Sequence, residues 1–454
     1  MHGAVSVEPN PLALRSADLQ RLRIFALVWA SQVLSAFGSG LTGFALGVMV
    51  YQQTRSVTAF SLLGLSTTLP GIFFSPLAGA LVDRWDRRSA LVVSDVGAGL
   101  CTLGIVILLS FDVHALWPIC LLLAVSSLFG SLQWPAYSAA VTALIPKRHF
   151  DRASGIVQLG TAVSQILAPL TAGALLAIVK ISSILWLDLA TCAGAVSVLL
   201  LVHIPFGRGQ AKAAPRSSLF AEAAAGWSYI RDRSGLLSLL AFLGVINLAA
   251  GFSQALVPPM VLAFGTEAEL GLVLAVASVG LLGGSLVMSL FGGPRKRARG
   301  VLTFGLLYGF CYCALGLRPA VWLIAAAFGG LLFMVPLING CSQAIWQVKV
   351  PLELQGRVFA VRRIIAQASQ PLALLAAGPL ADGLFAGLLA PGGALAGSAG
   401  RLIGTGPGRG IGLLLSFIGF FVVSSALGGQ MSSRLRRVEL EIPDALRDES
   451  SVLR

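Results

Sequence analysis

Twelve stretches of this chain are each long and apolar enough to cross a bilayer, and that repetition leaves few folds open. A spanning helix needs about 20 predominantly apolar residues. The first six stretches run over 24–50, 57–82, 89–111, 116–143, 154–179 and 183–205. The second six run over 236–262, 268–291, 301–317, 320–348, 364–388 and 411–429. Of the 454 residues, 56% are hydrophobic and only 11% charged, far below the roughly one-quarter charge of a soluble domain. Inside lipid every backbone polar group must be satisfied within the protein. The predicted fold class is therefore all-α integral membrane, with twelve transmembrane helices.

The net charge of +13 has a topological explanation. With both termini in the cytoplasm, 27 of the 32 Lys and Arg residues fall in cytoplasmic segments and 5 in external loops, a strong positive-inside bias. That asymmetry accounts for the basic character without a nucleic-acid partner. The first 20 or so residues are polar and lack a cleavage-site pattern, so the first span is expected to act as an uncleaved targeting signal. The domain reading follows: a cytoplasmic tail at 1–22, a six-helix bundle at 23–205, a cytoplasmic linker at 206–235, a second bundle at 236–429 and a tail at 430–454. Within the linker, Phe220, Ala224, Trp227 and Ile230 recur at helical spacing, which predicts an amphipathic helix at the membrane surface. The two halves echo each other as pseudo-repeats. Gln165 with Pro169-Leu170 matches Gln367 with Pro371-Leu372, and the basic turn Arg295–Arg299 matches a denser charged turn at Asp83–Arg88.

Chemistry-bearing residues are few. Six cysteines lie inside apolar runs without zinc spacing, and the four histidines form no cluster; no cofactor or metal is expected. Thr405-Gly-Pro-Gly-Arg409 lacks the Gly-Lys-Ser/Thr of a phosphate loop. Three acids lie within spans: Asp95, Asp188 and Asp382. An acid in the membrane is expensive and is a functional candidate by default, here for proton coupling. Amides and aromatics gather in four spans: Trp29 and Gln32; Gln133, Trp134 and Tyr137; Asn247 and Gln254; Asn339, Gln343, Trp346 and Gln347. Amides are costly in lipid and should face protein or water. Amides plus aromatics without fixed charge suit a bulky, amphipathic, mostly neutral substrate.

The turn Gly79-x-Leu-x-Asp83-Arg84-x-x-Arg87-Arg88 resembles the loop between helices 2 and 3 of the major facilitator superfamily, with Asp86 where that family has glycine. Helix 5 carries Gly155, Ser164, Ala168, Pro169, Ala172 and Gly173, which resembles the family's antiporter motif with three glycines replaced by other small residues. Gly38–Phe44, Trp134–Tyr137, Ile145–His149 and Gly356–Phe359 are similar to the bacterial branch of enterobactin-exporter-like and macrolide-efflux-like permeases. The resemblance runs from about Leu22 to Val438. It implies a bacterial inner-membrane, monomeric transporter that works by alternating access. In that setting Asp83 is a charge latch, with Arg84, Arg87 and Arg88 binding the latch and the anionic lipid surface. Helices 1, 4, 7 and 10 line the cavity. The implied function is proton-driven efflux of a siderophore, peptide natural product or drug. An importer or uniporter is the nearest alternative. A membrane enzyme should show clustered His or acids near one face, and a scramblase a polar groove open to lipid; neither pattern is visible.

Overall fold

The computed structural model describes residues 11–113, 115–145, 150–202, 226–390 and 392–432. It is helical, with no strand among the described residues, and twelve helices are long and apolar enough to span a membrane. They are α1 (Pro11–Thr54), α2 (Val57–Arg84), α3 (Arg87–Ser110), α4 (Leu116–Leu144), α5 (Phe150–Leu176) and α6 (Ile181–Leu201). The second six are α7 (Ser234–Leu262), α8 (Glu267–Phe291), α9 (Arg297–Leu317), α10 (Val321–Lys349), α11 (Leu352–Gly378) and α12 (Arg409–Met431).

Two helices outrun their hydropathy. α1 begins at Pro11, thirteen residues ahead of the apolar stretch at 24, so part of the expected tail is helix. α11 begins at Leu352, twelve residues ahead of the stretch at 364, and carries Arg357, Arg362 and Arg363 as helical residues. Hydropathy reports where lipid begins, whereas backbone hydrogen bonding continues through charged turns. Helix ends carry local signals. Asp86, in the family's glycine position, is the N-cap of α3 and accepts from the Ser89 amide at 3.3 Å and its hydroxyl at 3.2 Å. Aspartate and glycine are both favoured N-caps, which rationalises the replacement. Thr266 and Glu269 form a capping box at the start of α8.

The described residues fall into two compact units that differ from the expected halves. The first holds α1 up to Gly43, α2 from Ser66, α3, α4, α5 to Ala168, and α6. The second holds α7–α12 and also Phe44–Leu65 and Pro169–Val179, the ends of α1, α2 and α5 opposite the arginine-rich turns. The reason is packing within that second unit. A Cβ on Gly378 would lie 2.5 Å from the Thr58 Cα, one on Gly173 2.5 Å from the Glu267 carbonyl oxygen, and one on Gly271 2.5 Å from the Pro169 oxygen. Lipid gives helices no hydrophobic reason to associate, so close approach across small residues supplies the attraction.

Each unit has its own apolar core. Phe25, Val28, Ala78, Leu91, Leu132, Ala136 and Leu144 anchor the first. The second is larger and centres on α7, α9 and α10, with Leu256, Val301, Tyr312 and Leu331 wholly enclosed. The linker expectation is revised for its described part. Residues 226–231 are helical, but Ile230 is buried in the second core while Trp227 is exposed. The Tyr229 hydroxyl donates to the Lys349 carbonyl at 3.0 Å and the Arg233 guanidinium sits 3.6 Å from the Tyr229 ring centroid. This piece docks on protein. Phe220 and Ala224 lie outside the described residues.

Candidate functional site

The first unit contains a polar cavity of about 200 Å³ with Asp95 and Asp188 both in its wall. Ser35, Ser39, Thr42, Thr102 and Gln133 complete most of its polar lining. α1 supplies Gln32, Ser35, Ser39 and Thr42 at steps of three, four and three, which is one face of a helix. Asp95, on α3, is 3% exposed. It accepts from the Gln32 amide at 2.8 Å and the Gln133 amide at 3.0 Å, and Gln133 also donates to the Gln32 oxygen at 3.1 Å. Three residues singled out in the sequence thus form one closed network. Asp188, on α6, is 4% exposed and accepts from Thr42 at 2.9 Å, Ser39 at 3.3 Å and Thr102 at 3.3 Å. The close approach of α1 to α6 depends on Gly38, where a Cβ would lie 2.2 Å from the Thr191 hydroxyl. Cys192, one turn beyond Asp188, donates to the Asp95 backbone oxygen at 3.2 Å and so stands between the two acids. Among the described residues neither carboxylate has a cation within ion-pair distance. Each is held by neutral donors alone, an arrangement that accommodates either protonation state.

Asp382 behaves differently. It lies in a π-helical turn, Pro379–Phe385, that continues α11 at the end opposite the arginine-rich turns. It accepts from the Ser56 hydroxyl at 2.7 Å, the Val57 amide at 3.1 Å, the Thr58 amide at 2.8 Å and the Thr58 hydroxyl at 2.8 Å. Val57 is the first residue of α2, so Asp382 caps the N-terminus of α2 from another part of the chain. Two amides and two hydroxyls at a helix N-terminus give this carboxyl the surroundings of a structural clamp, which sets it apart from the cavity acids Asp95 and Asp188.

The second unit holds another polar cleft, of about 380 Å³, lined by Asn247, Asn339, Gln343, Phe359, Arg362 and Arg363. Three of the expected cavity residues meet here. Arg362 and Arg363 stand beside them, so this cleft departs from the expected lining of amides and aromatics without fixed charge. The Arg362 guanidinium donates to the Gln343 oxygen at 3.0 Å and lies 4.8 Å from the Trp346 ring centroid and 5.5 Å from that of Phe359. Trp346 is fully buried behind it.

The remaining expected cavity residues scatter. Tyr137 belongs to the apolar core of the first unit. Trp134 is 61% exposed and lines neither cleft. The Trp29 indole donates to the Ile156 carbonyl at 3.1 Å, joining α1 to α5. Gln254 accepts from Gln370 at 2.7 Å, and Gln347 is exposed with its backbone oxygen taken by Gln355. An amide or aromatic in a span reads the same from sequence in a cavity, core or helix crossing.

In the charged turn, Arg84 is exposed, and a Cβ on Gly79 would meet no atom within 4 Å. Arg88 donates to the carbonyl oxygens of Leu199, at 2.6 Å, and Leu200. These are among the last carbonyls of α6, so Arg88 caps that helix where its dipole favours a cation. The side chains of Asp83 and Arg87 lie outside the described residues. On α5, Gly155 meets nothing within 4 Å, whereas Gly173 and the Pro169 carbonyl both form the contact with α8.

Comparison with known proteins agrees with this architecture. The chain is similar to macrolide efflux protein A of Streptococcus pyogenes, 25% identical over 365 residues, covering 79% of this chain and 89% of that protein. It is similar to the multidrug efflux pump Tap of Mycolicibacterium fortuitum, 27% identical over 380 residues, covering 80% and 91%. In fold it resembles the nucleoside transporter NupG, with a TM-score of 0.68, 11% identity and coverage of 89% of this chain and 99% of that one. An inward-facing bacterial homologue of the lysosomal transporter Spinster gives a TM-score of 0.63 at 14% identity, covering 92% and 93%. The family model for the Major Facilitator Superfamily matches residues 28–374, and the chain, with twelve described helices long and apolar enough to cross a membrane, belongs to that family of transporters.

Proposed function

We propose that the protein exports an amphipathic small molecule, a drug or natural product, from a bacterial cytoplasm in exchange for protons. The carrying observation is that Asp95 and Asp188 share the wall of one polar cavity, held by amides and hydroxyls with no cationic partner among the described residues. A carboxyl group in that setting can load and release a proton without breaking an ion pair, and substrate and proton can then be coupled through alternating access. The similarity to a macrolide efflux protein and a multidrug efflux pump supports the outward direction. In this reading the arginine-rich turns face the cytoplasm, both termini lie on that side, the membrane is the inner membrane and the monomer is the working unit. Asp83 is a latch of one conformational state, and Asp382 clamps the opposite face.

Reconstituted vesicles with an imposed pH gradient test the reading. A panel of macrolides, siderophores and dyes should include a compound whose uphill movement stops when an uncoupler is added. Movement indifferent to the uncoupler for every transported compound rules out proton coupling.

A further inference from the structure

The arginine cleft of the second unit has a chemistry that the acidic cavity of the first does not share. We propose that Arg362 is a substrate-anchoring residue and that the cleft takes the anionic group of an amphipathic organic molecule, a carboxylate or similar oxyanion on an apolar body. The inference rests on the transport reading for its biological role, but the binding chemistry stands on this cleft alone. Arg362 lies ten residues into α11, two residues ahead of the apolar stretch that begins at 364, and its side chain is partly buried. A partly buried cation is costly unless it is paired or serves a polar ligand. Among the described residues no carboxylate is within ion-pair distance of it, and no acid lines the cleft. Its polar contact is the neutral oxygen of Gln343. The faces of Trp346 and Phe359 hold the guanidinium by cation–π attraction and fix the orientation of its planar donor fork.

Five N–H donors in one plane match the two oxygens of a carboxylate, and Arg is the residue suited to that bidentate geometry. The Asn247, Asn339 and Gln343 amides surround it with further hydrogen-bonding groups, and Arg363 adds a second positive charge at the rim. Leu240, Leu243 and Ile365 offer apolar wall for the rest of the molecule. The volume, about 380 Å³, fits a ligand of several rings rather than a small ion.

Two xanthene dyes of similar size and opposite charge, carboxyfluorescein and rhodamine 123, provide the probe. Fluorescence anisotropy of each dye with the purified full-length protein in detergent measures binding without requiring transport. The wild type should bind carboxyfluorescein at least about tenfold more tightly than rhodamine 123. Arg362→Gln should lose at least about tenfold of the carboxyfluorescein affinity and leave rhodamine 123 unchanged, while Arg362→Lys should fall between. A wild type that prefers rhodamine 123 or does not bind carboxyfluorescein overturns the proposal without any variant. So does an Arg362→Gln protein, monodisperse by size exclusion, that binds carboxyfluorescein as the wild type does. The same proteins in vesicles separate the two readings: selective, Arg362-dependent binding without gradient-driven export of any compound removes the efflux reading and keeps the anion site.

Discussion

The polar interior of the unit built on α3, α4 and α6 is acidic, and that of the unit built on α7, α10 and α11 is basic. The first buries two carboxylates among serines, threonines and glutamines; the second lines its cleft with two arginines and three amides. Neither set is paired internally by an opposite charge among the described residues. Structural ion pairs inside a membrane would neutralise each other locally. Under the proposed function, unpaired charges of opposite sign in separate units would divide the work of an exchanger, with protons handled by one unit and a ligand by the other. Asp382 offers a contrast in the same molecule: four donors from Ser56, Val57 and Thr58 at the N-terminus of α2, two of them backbone amides.

The sharpest way to break that division is to neutralise the acidic unit. Asp95→Asn and Asp188→Asn each keep the side-chain size, and at least one should reduce gradient-driven export by about 5- to 150-fold while sparing downhill exchange. If both variants pump like the wild type in vesicle assays, the first cavity is structural. Next in size is Asp83→Asn, which should cripple transport while the protein level in the membrane, read by immunoblot, stays near normal; undiminished transport would remove the latch. Asp382→Ala should act on stability, with a loss of about 1–2 kcal/mol, read as a lower Tm in a thiol-dye thermal scan, and with uncoupler sensitivity intact. Loss of uncoupler sensitivity there would return Asp382 to the proton path and blur the contrast. The smallest expected effect is that of Arg88→Ala, which uncaps α6 and should cost about 0.3–1 kcal/mol of stability with transport retained.

Much of the fold was legible because lipid enforces a simple grammar. Twelve apolar runs became twelve helices. The sequence also offered Gln32, Asp95 and Gln133 as separate candidates, but their union in one network depends on which faces of α1, α3 and α4 meet. The serine and threonine stripe at Ser35, Ser39 and Thr42 was readable at helical spacing, yet hydroxyls in spans more often bond their own helix, as Ser31 does to Val28. Arg362 was missed for a definite reason. Apolar counting ends a span at the first charges, so α11 was begun at 364 and its arginines were assigned to the loop. Tyr137, expected among the cavity aromatics, instead packs in the apolar core of the first unit. The packing units differ from the expected bundles because close approach through Gly173, Gly271 and Gly378 depends on tertiary contacts that hydropathy does not encode.

One measurement decides most about the acidic unit. Wild-type, Asp95→Asn and Asp188→Asn proteins are reconstituted in vesicles, a pH gradient is imposed, and accumulation of a transported compound is followed before and after an uncoupler. Proton exchange through this cavity requires uphill accumulation by the wild type that collapses with the uncoupler, and an aspartate variant that equilibrates the compound but never concentrates it. Uncoupler-sensitive accumulation that survives both substitutions would place the proton elsewhere in the protein, and accumulation untouched by the uncoupler would mean that no proton is exchanged.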